Sequence, residues 1–359
     1  MCLNSTQGHA CPNPGCPYFG VTDERVHALV GNGKRGKYGS IQALRCQACG
    51  CCFSSRRNTP LYHLKTHPER IEICLWLLAE GVDVSVLVRY TGHVDATLTR
   101  WLTRAGIHGE HLHTLWFVQL NLDYLQVDEL HAPVAGNRKK SWLWLAIEPV
   151  SKIIPALHLG GRTKEDAYRF IHDLKLRLAE GCIPVLTSDG LRAYFYAITA
   201  HFGEWVAGRW VVSPRLAYGQ LVKRTEKKKD DGTPFTFTRM LCGQRWQLFQ
   251  TLTGLGFSGT LGTSFIERLN LTLRQGIAAL SRKTWSLARS QEALLLHVHW
   301  WRSFYHFARP HDSLRLRVPG LKHRYRQRSP AMAAGLTDHL WSVGDLLSLP
   351  LVFEGGAAS

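Results

Sequence analysis

No hydrophobic run in this sequence is long enough to cross a bilayer: the longest apolar stretches, such as Trp142 to Ile147, fall far short of the roughly 20 residues that a spanning helix needs. The opening Met1-Cys-Leu-Asn-Ser-Thr lacks the charged and apolar regions of a signal peptide. A soluble intracellular, cytoplasmic protein without a membrane role is expected. Acidic residues are scarce, 27 against 44 Lys and Arg, and the net charge of +17 calls for a polyanionic partner such as nucleic acid or an anionic surface. Cysteine is nearly missing from the body of the chain, since seven of the ten precede residue 53; the pattern is not that of a secreted disulfide scaffold. Lys and Arg are absent from the final 29 positions, which read as a small appended helix and a disordered end from Gly355 to Ser359. The length, 359 residues, suits two or three domains.

The crowded cysteines form two close pairs, Cys11-Pro-Asn-Pro-Gly-Cys16 and Cys46-Gln-Ala-Cys49, separated by 29 residues. Each pair can wrap a turn around one tetrahedral zinc ion, so residues 1–65 read as a zinc ribbon, with Cys51 and Cys52 close enough to compete as ligands. Eight Lys or Arg and one acid lie between Lys34 and Arg70, a density suited to phosphate contact. The pattern then turns helical. Thr66-His-Pro68-Glu69 has the spacing of a capping box, and Ile71, Leu75 and Leu78 recur on one face before Gly81. A short helix follows around Ser85 to Tyr90, then a turn at Thr91-Gly92, then a third helix capped by Asp95 and stopped at Gly106. Residues 66–106 therefore read as a small three-helix, helix-turn-helix domain whose last helix presents Thr97, Arg100, Thr103 and Arg104 to DNA. Residues 107–121 read as a connector.

From 122 to 317 the pattern is α/β. Tyr124 to Leu130, Trp142 to Ile147 and Ile153 to Leu159 read as antiparallel strands, Thr163 to Ala179 as a crossover helix, and Ile183 to Ser188 as a strand parallel to the first. This is the opening topology of an RNase H-like domain. Three carboxylates stand out in it. Asp128 and Asp189 lie at or near strand ends, and Glu267 lies on a helix with Asn270 and Arg274 on its polar stripe and Ile266, Leu269 and Leu273 on the apolar one. Strand alternation puts Asp128 on the face of Tyr124 and Gln126, and Glu129 on the other, so Asp128 is assigned to the site and Glu129 is not. Lys223 to Gly232 reads as an exposed mixed-charge loop. Leu287 to Phe307 reads as a long helix with Trp300, Trp301, Phe304 and Tyr305 inward. Arg309 to Arg328, rich in Lys and Arg, is a phosphate-contact candidate that includes Arg309 and Arg315.

Arg45-Cys-Gln-Ala-Cys-Gly50, Val127-Asp-Glu129, Thr187-Ser-Asp-Gly190, Ser264-Phe-Ile-Glu-Arg-Leu-Asn270 with Leu273-Arg-Gln275, and Phe307-Ala-Arg-Pro-His-Asp-Ser-Leu-Arg315 together carry a resemblance. The chain resembles DDE transposases of bacterial insertion sequences, of the insertion-sequence-one type with an N-terminal zinc ribbon and helix-turn-helix. The resemblance implies Asp128, Asp189 and Glu267 as the catalytic acids. It also implies cleavage at the element ends, with the freed 3′-hydroxyl then joined to target DNA. Hard carboxylate oxygens suit Mg2+ or Mn2+, and a pair of such ions can serve both oxygens of a phosphodiester transfer. The expected partner is double-stranded DNA, both element ends and target, bound by a homodimer or higher homo-oligomer at the nucleoid; Asn270 and Arg274 join the residues expected to contact it. Residues 318–359 are a C-terminal basic segment and tail. The acids alone equally allow a nuclease that does not join strands, and the first two domains alone a DNA-binding regulator carrying an inactive RNase H-like domain.

Overall fold

A computed structural model of the protein describes residues 6–36, 41–136, 140–225, 234–320 and 324–352. Within them the chain is mixed α/β, with ten α-helices and a mixed six-stranded sheet. No helix among the described residues is long and apolar enough to cross a membrane.

The cysteine-rich segment folds as a three-stranded antiparallel sheet of β1 (Leu29–Arg35), β2 (Ile41–Cys46) and β3 (Cys52–Ser54). Its small core gathers Leu29, Leu44 and Phe53 around the cysteines. Helices α1 (Pro68–Ala79), α2 (Val84–Thr91) and α3 (Asp95–Trp116) follow. Two expected caps are not made. His67, not Thr66, caps α1 and does so without a side-chain bond, while Asp95 lies inside α3 after the cap Val94. The larger correction concerns Gly106, which does not end α3; the helix runs through the expected connector to Trp116. A Cβ on Gly106 would lie 2.3 Å from the Leu296 carbonyl oxygen, and one on Gly109 2.7 Å from that of His299. Both glycines let α3 pack backbone to backbone against α8 (Gln291–Ser303), a gain in contact that outweighs the roughly 1 kcal/mol a helical glycine costs.

The central sheet starts as expected. Strands β4 (Tyr124–His131), β5 (Trp142–Ile147) and β6 (Leu157–Gly160) are antiparallel. Helix α4 (Lys164–Arg177), capped by the Thr163 hydroxyl, crosses to β7 (Val185–Ser188), which pairs parallel with β4. After α5 (Arg192–His201) and a hairpin of β8 (Gly203–Val206) and β9 (Arg209–Val212), strand β10 (Tyr218–Thr225) adds parallel to β7, and β11 (Pro234–Cys242) pairs antiparallel with β10. The strand order is β11-β10-β7-β4-β5-β6. Of the expected mixed-charge loop, Lys223 to Thr225 belong to β10, and residues 226–232 lie outside those described.

Helices α6 (Arg245–Gly254) and α7 (Ser264–Gly276) complete the layer beside the sheet. Ile266, Leu269 and Leu273 of α7 are buried, as their spacing predicts. Residues 281–290 are irregular, so the long helix begins later than expected, and at Phe304–Ala308 it passes into a π-helical turn. Trp300, Trp301, Phe304 and Tyr305 are core. Beyond lie β12 (Leu316–Arg317), β13 (Tyr325–Arg326), α9 (Pro330–Ala333) and α10 (Val343–Ser348). The residues from 353 onward, including the expected disordered end, lie outside those described.

Candidate functional site

Cys11, Cys16, Cys46 and Cys49 offer four sulfurs that all lie within 4.8 Å of one another. Cys11 Sγ is 3.5 Å from Cys49 Sγ and Cys16 Sγ is 3.7 Å from Cys46 Sγ, close to the roughly 3.8 Å separating two ligands of a tetrahedral zinc thiolate centre. The donor set fits zinc. Cys51 and Cys52 stand outside this group; the exposed Cys52 thiol donates instead to the Gly50 carbonyl.

The carboxylates gather where the central ladder stops. β4 and β7 pair up to Val127 and Ser188; Asp128 is the next residue of β4, and Asp189 is the first residue past the end of β7. Asp189 follows β7 directly and is held by the Leu191 amide, which donates to its Oδ1 at 2.9 Å. Glu267 sits in the first turn of α7 and accepts from the Thr263 hydroxyl at 3.1 Å. These three acids line one cleft of about 620 Å³ together with Arg162, Arg192 and Thr263. Burial raises the Asp128 carboxyl to about 6, with Asp189 and Glu267 adding to the shift. A divalent cation would relieve that repulsion by supplying an opposite charge.

Two buried amides fix this geometry, and neither was assigned that role from sequence. Gln126 Oε1 accepts from the Phe265 and Ile266 amides, both at 3.0 Å, and its Nε2 donates to the Gly262 carbonyl at 3.0 Å. A strand residue thereby satisfies the otherwise orphaned first amides of α7 and fixes Glu267 relative to Asp128. Asn270, one turn beyond Glu267, donates from Nδ2 to Asp128 Oδ2 at 2.8 Å. This corrects its expected place among the DNA contacts, because a side chain buried behind the carboxylate is turned away from bulk solvent. Its Oδ1 is buried without a partner among the described residues, an orphan acceptor at the edge of a carboxylate site.

In comparisons with known proteins, no family model matches the chain, and no curated protein matches it.

Glu129 requires a further correction. The two strand faces do separate its partners from those of Asp128: Glu129 Oε1 accepts from Arg162 Nε at 2.8 Å and from its Nη2, while Oε2 accepts from the Tyr194 hydroxyl at 3.0 Å. Yet Asp128, Glu129 and Asp189 place carboxylate oxygens within 4.8 Å of one another, whereas Glu267 is outside that tight group. Alternation still separates Asp128 from Glu129 along β4, but Asp189 lies past the end of β7 and is not bound to either face. Asp189 therefore reaches both faces. Burial and the Asp189 charge raise the Glu129 carboxyl to about 7 against the pull of Arg162. Arg162, just after Gly160-Gly161, stacks 4.8 Å over the Trp142 ring and brings a cation into the acidic cleft. Only that glycine pair marked it in the sequence.

The remaining predicted contact residues divide into outward and inward groups. Arg100 is exposed on α3, with Thr97 and Thr103 half-buried. Arg104 is turned inward: its Nε donates to the Pro60 carbonyl at 2.8 Å and its Nη2 to that of Tyr62 at 2.6 Å. Arg309 is half-buried and faces Glu80 at 3.9 Å, with its Nη1 shut off from solvent. Arg315 is exposed and stacks over Tyr325. Arg274 is half-buried between Asp128 and Arg282, close enough to feel both charges.

Proposed function

We propose that the protein is a DDE-type DNA transposase that cuts the ends of an insertion sequence and joins the 3′-hydroxyl ends to target DNA. The observation that carries this reading is the convergence of Asp128 from β4, Asp189 from the end of β7 and Glu267 from α7 on one open cleft. The sheet order β6-β5-β4-β7-β10, with β4, β7 and β10 parallel, supports an RNase H-like catalytic domain. Helices α1 to α3, with Arg100 exposed near the start of the last, support a helix-turn-helix reader of element ends. The +17 charge supports a DNA partner.

Magnesium or manganese held by Asp128, Asp189 and Glu267 would supply Lewis-acid activation of the attacking oxygen and neutralisation of the departing one. The protein's own groups position and charge the site. Asn270 orients Asp128, Gln126 anchors the helix carrying Glu267, and Arg162 offers a guanidinium to a phosphate entering the cleft. Each chemical step exchanges one P–O bond for another: water displaces a 3′ oxygen at the element end, and the freed hydroxyl then displaces a 3′ oxygen in the target.

The test uses the purified full chain, magnesium, and a labelled duplex carrying the inverted repeats that flank its gene. Metal-dependent nicking followed by transfer of the labelled 3′ end to a second duplex is expected, with both lost in Asp128→Asn, Asp189→Asn and Glu267→Gln. Nicking without joining would make the protein a nuclease. Specific binding without nicking would leave a DNA-binding regulator.

A further inference from the structure

A second cavity, of about 350 Å³, lies at the β6 edge of the sheet, between α3, α4 and α8. It shares no lining residue with the acidic cleft. Arg302 of α8 lines it while being only 3 % exposed. Its Nη2 donates to His299 Nδ1 at 3.0 Å, and its Nε is shut off from solvent without a hydrogen-bond partner among the described residues. Two further guanidinium groups line the same space, those of Arg169 and Arg177, against two carboxylates, Asp173 and Glu110. Asp173 is already bound by Arg177 at 3.0 Å, and Glu110 is half-exposed and 3.7 Å from His299. No carboxylate among the described residues forms an ion pair with Arg302.

A guanidinium keeps its proton at neutral pH, and a buried charge lacking a close counter-charge costs several kcal/mol. Burial is also what pulls the Arg302 group down to about 9. The lining therefore has one cation more than it can pair, at the floor of a cavity roomy enough for a small ion. One planar fork would satisfy a carboxylate; three guanidinium groups around one space suit an anion with acceptors on several sides. We propose that this cavity binds a phosphate-class oxyanion, with Arg302 at its floor and Arg169 and Arg177 as further donors. The site is independent of the transposase reading. Its occupant is either free phosphate or a phosphate of a nucleic-acid backbone.

The test is thermal unfolding and calorimetric titration of the full, zinc-loaded chain with inorganic phosphate, with chloride holding ionic strength constant. Phosphate is expected to raise the Tm of the wild type. Arg302→Leu, which removes a buried unpaired charge, should be at least as stable in chloride and should lose the phosphate response. Arg169→Gln, at an exposed position, should weaken phosphate binding by roughly tenfold. If Arg302→Leu does not fold, Arg169→Gln and Arg302→Lys decide, the latter expected to bind phosphate more weakly because it has lost the fork. Equal phosphate responses in the wild type and the variants would place the anion elsewhere on this basic chain and overturn the proposal, as would no response in the wild type. Saturating short duplex DNA then separates the two sources: loss of the phosphate response assigns the site to backbone phosphate, and persistence to free phosphate.

Discussion

The four thiols of the N-terminal segment and the carboxylates of the central cleft are both clusters of anionic ligands, but their supports are opposite. Around the cysteines only a few apolar residues are buried, too small a core to hold three short strands alone. The carboxylates stand on a sheet whose core spans most of the chain, and the fold forces them together against their repulsion. A zinc ion would build the first site, whereas the fold builds the second.

The largest expected effect follows directly. Removing zinc should unfold β1 to β3 and leave the central sheet intact, since structural zinc in small domains supplies on the order of 10 kcal/mol. Hydrogen exchange after chelation measures this; strand amides that stay protected in β2 while metal analysis reads zero would break the comparison. Next come the acids. Asp128→Asn should lower cleavage by roughly 10²- to 10³-fold or more without disturbing the fold. Glu129→Gln and Arg162→Gln should each cost about tenfold through the loss of one charge-assisted contact. Assays of both variants check this, and a Glu129→Gln loss as deep as that of Asp128→Asn would make Glu129 a full member of the acid set.

A third effect tests whether the cleft is strained. A carboxyl raised in the folded state favours the protonated form there, so its penalty is absent below the unfolded pKa near 4 and grows until pH exceeds the folded value of about 6. Without divalent metal, Asp128→Asn should match the wild type near pH 4 and exceed it above pH 7 by on the order of 2 to 3 kcal/mol. Urea unfolding at the two pH values reads this directly. A gain that is equal at both would locate the effect in packing rather than charge.

What could be read in advance follows the same division. The cysteine pairs are local, and the spacing alone predicted the four sulfurs that the fold brings together. Strand and helix periods likewise placed Asp128 beside Gln126 and buried Leu269 and Leu273. What could not be read depended on where elements stop or meet. The Glu129 carboxylate comes close to that of Asp189 because Asp189 lies just past the end of β7, and no local pattern encodes a neighbour's length. Gly106 resembled a helix stop because nothing in its own segment reveals α8 pressing against it. Strand β11, Pro234-Phe-Thr-Phe-Thr-Arg-Met-Leu-Cys242, does carry an alternating signal, but it directly follows the charged stretch Lys223 to Gly232 and only its pairing with β10 shows it as the sheet edge.

The smallest effect separates two arginines of α3 that look alike in sequence. Arg104 donates to the carbonyls of Pro60 and Tyr62 and so ties the segment after β3 to α3. Arg100 is exposed. Two charge-assisted bonds to backbone, partly screened at a half-buried position, are worth about 1 to 2 kcal/mol together, so Arg104→Ala should destabilise the chain by about that much and loosen residues 60–62 to proteolysis. Arg100→Ala should stay within about 0.5 kcal/mol of the wild type. On the proposed reading its loss appears in DNA binding, as weaker affinity for element ends. Arg104→Lys makes the distinction sharper, because it keeps the charge but cannot span both carbonyls with one planar fork. Were charge alone the role of Arg104, the lysine would restore stability and binding together. Failure of the lysine to restore stability, with DNA affinity unchanged, would fix Arg104 as the clasp between the cysteine-rich segment and the helices and leave Arg100 as the one of the pair that faces DNA.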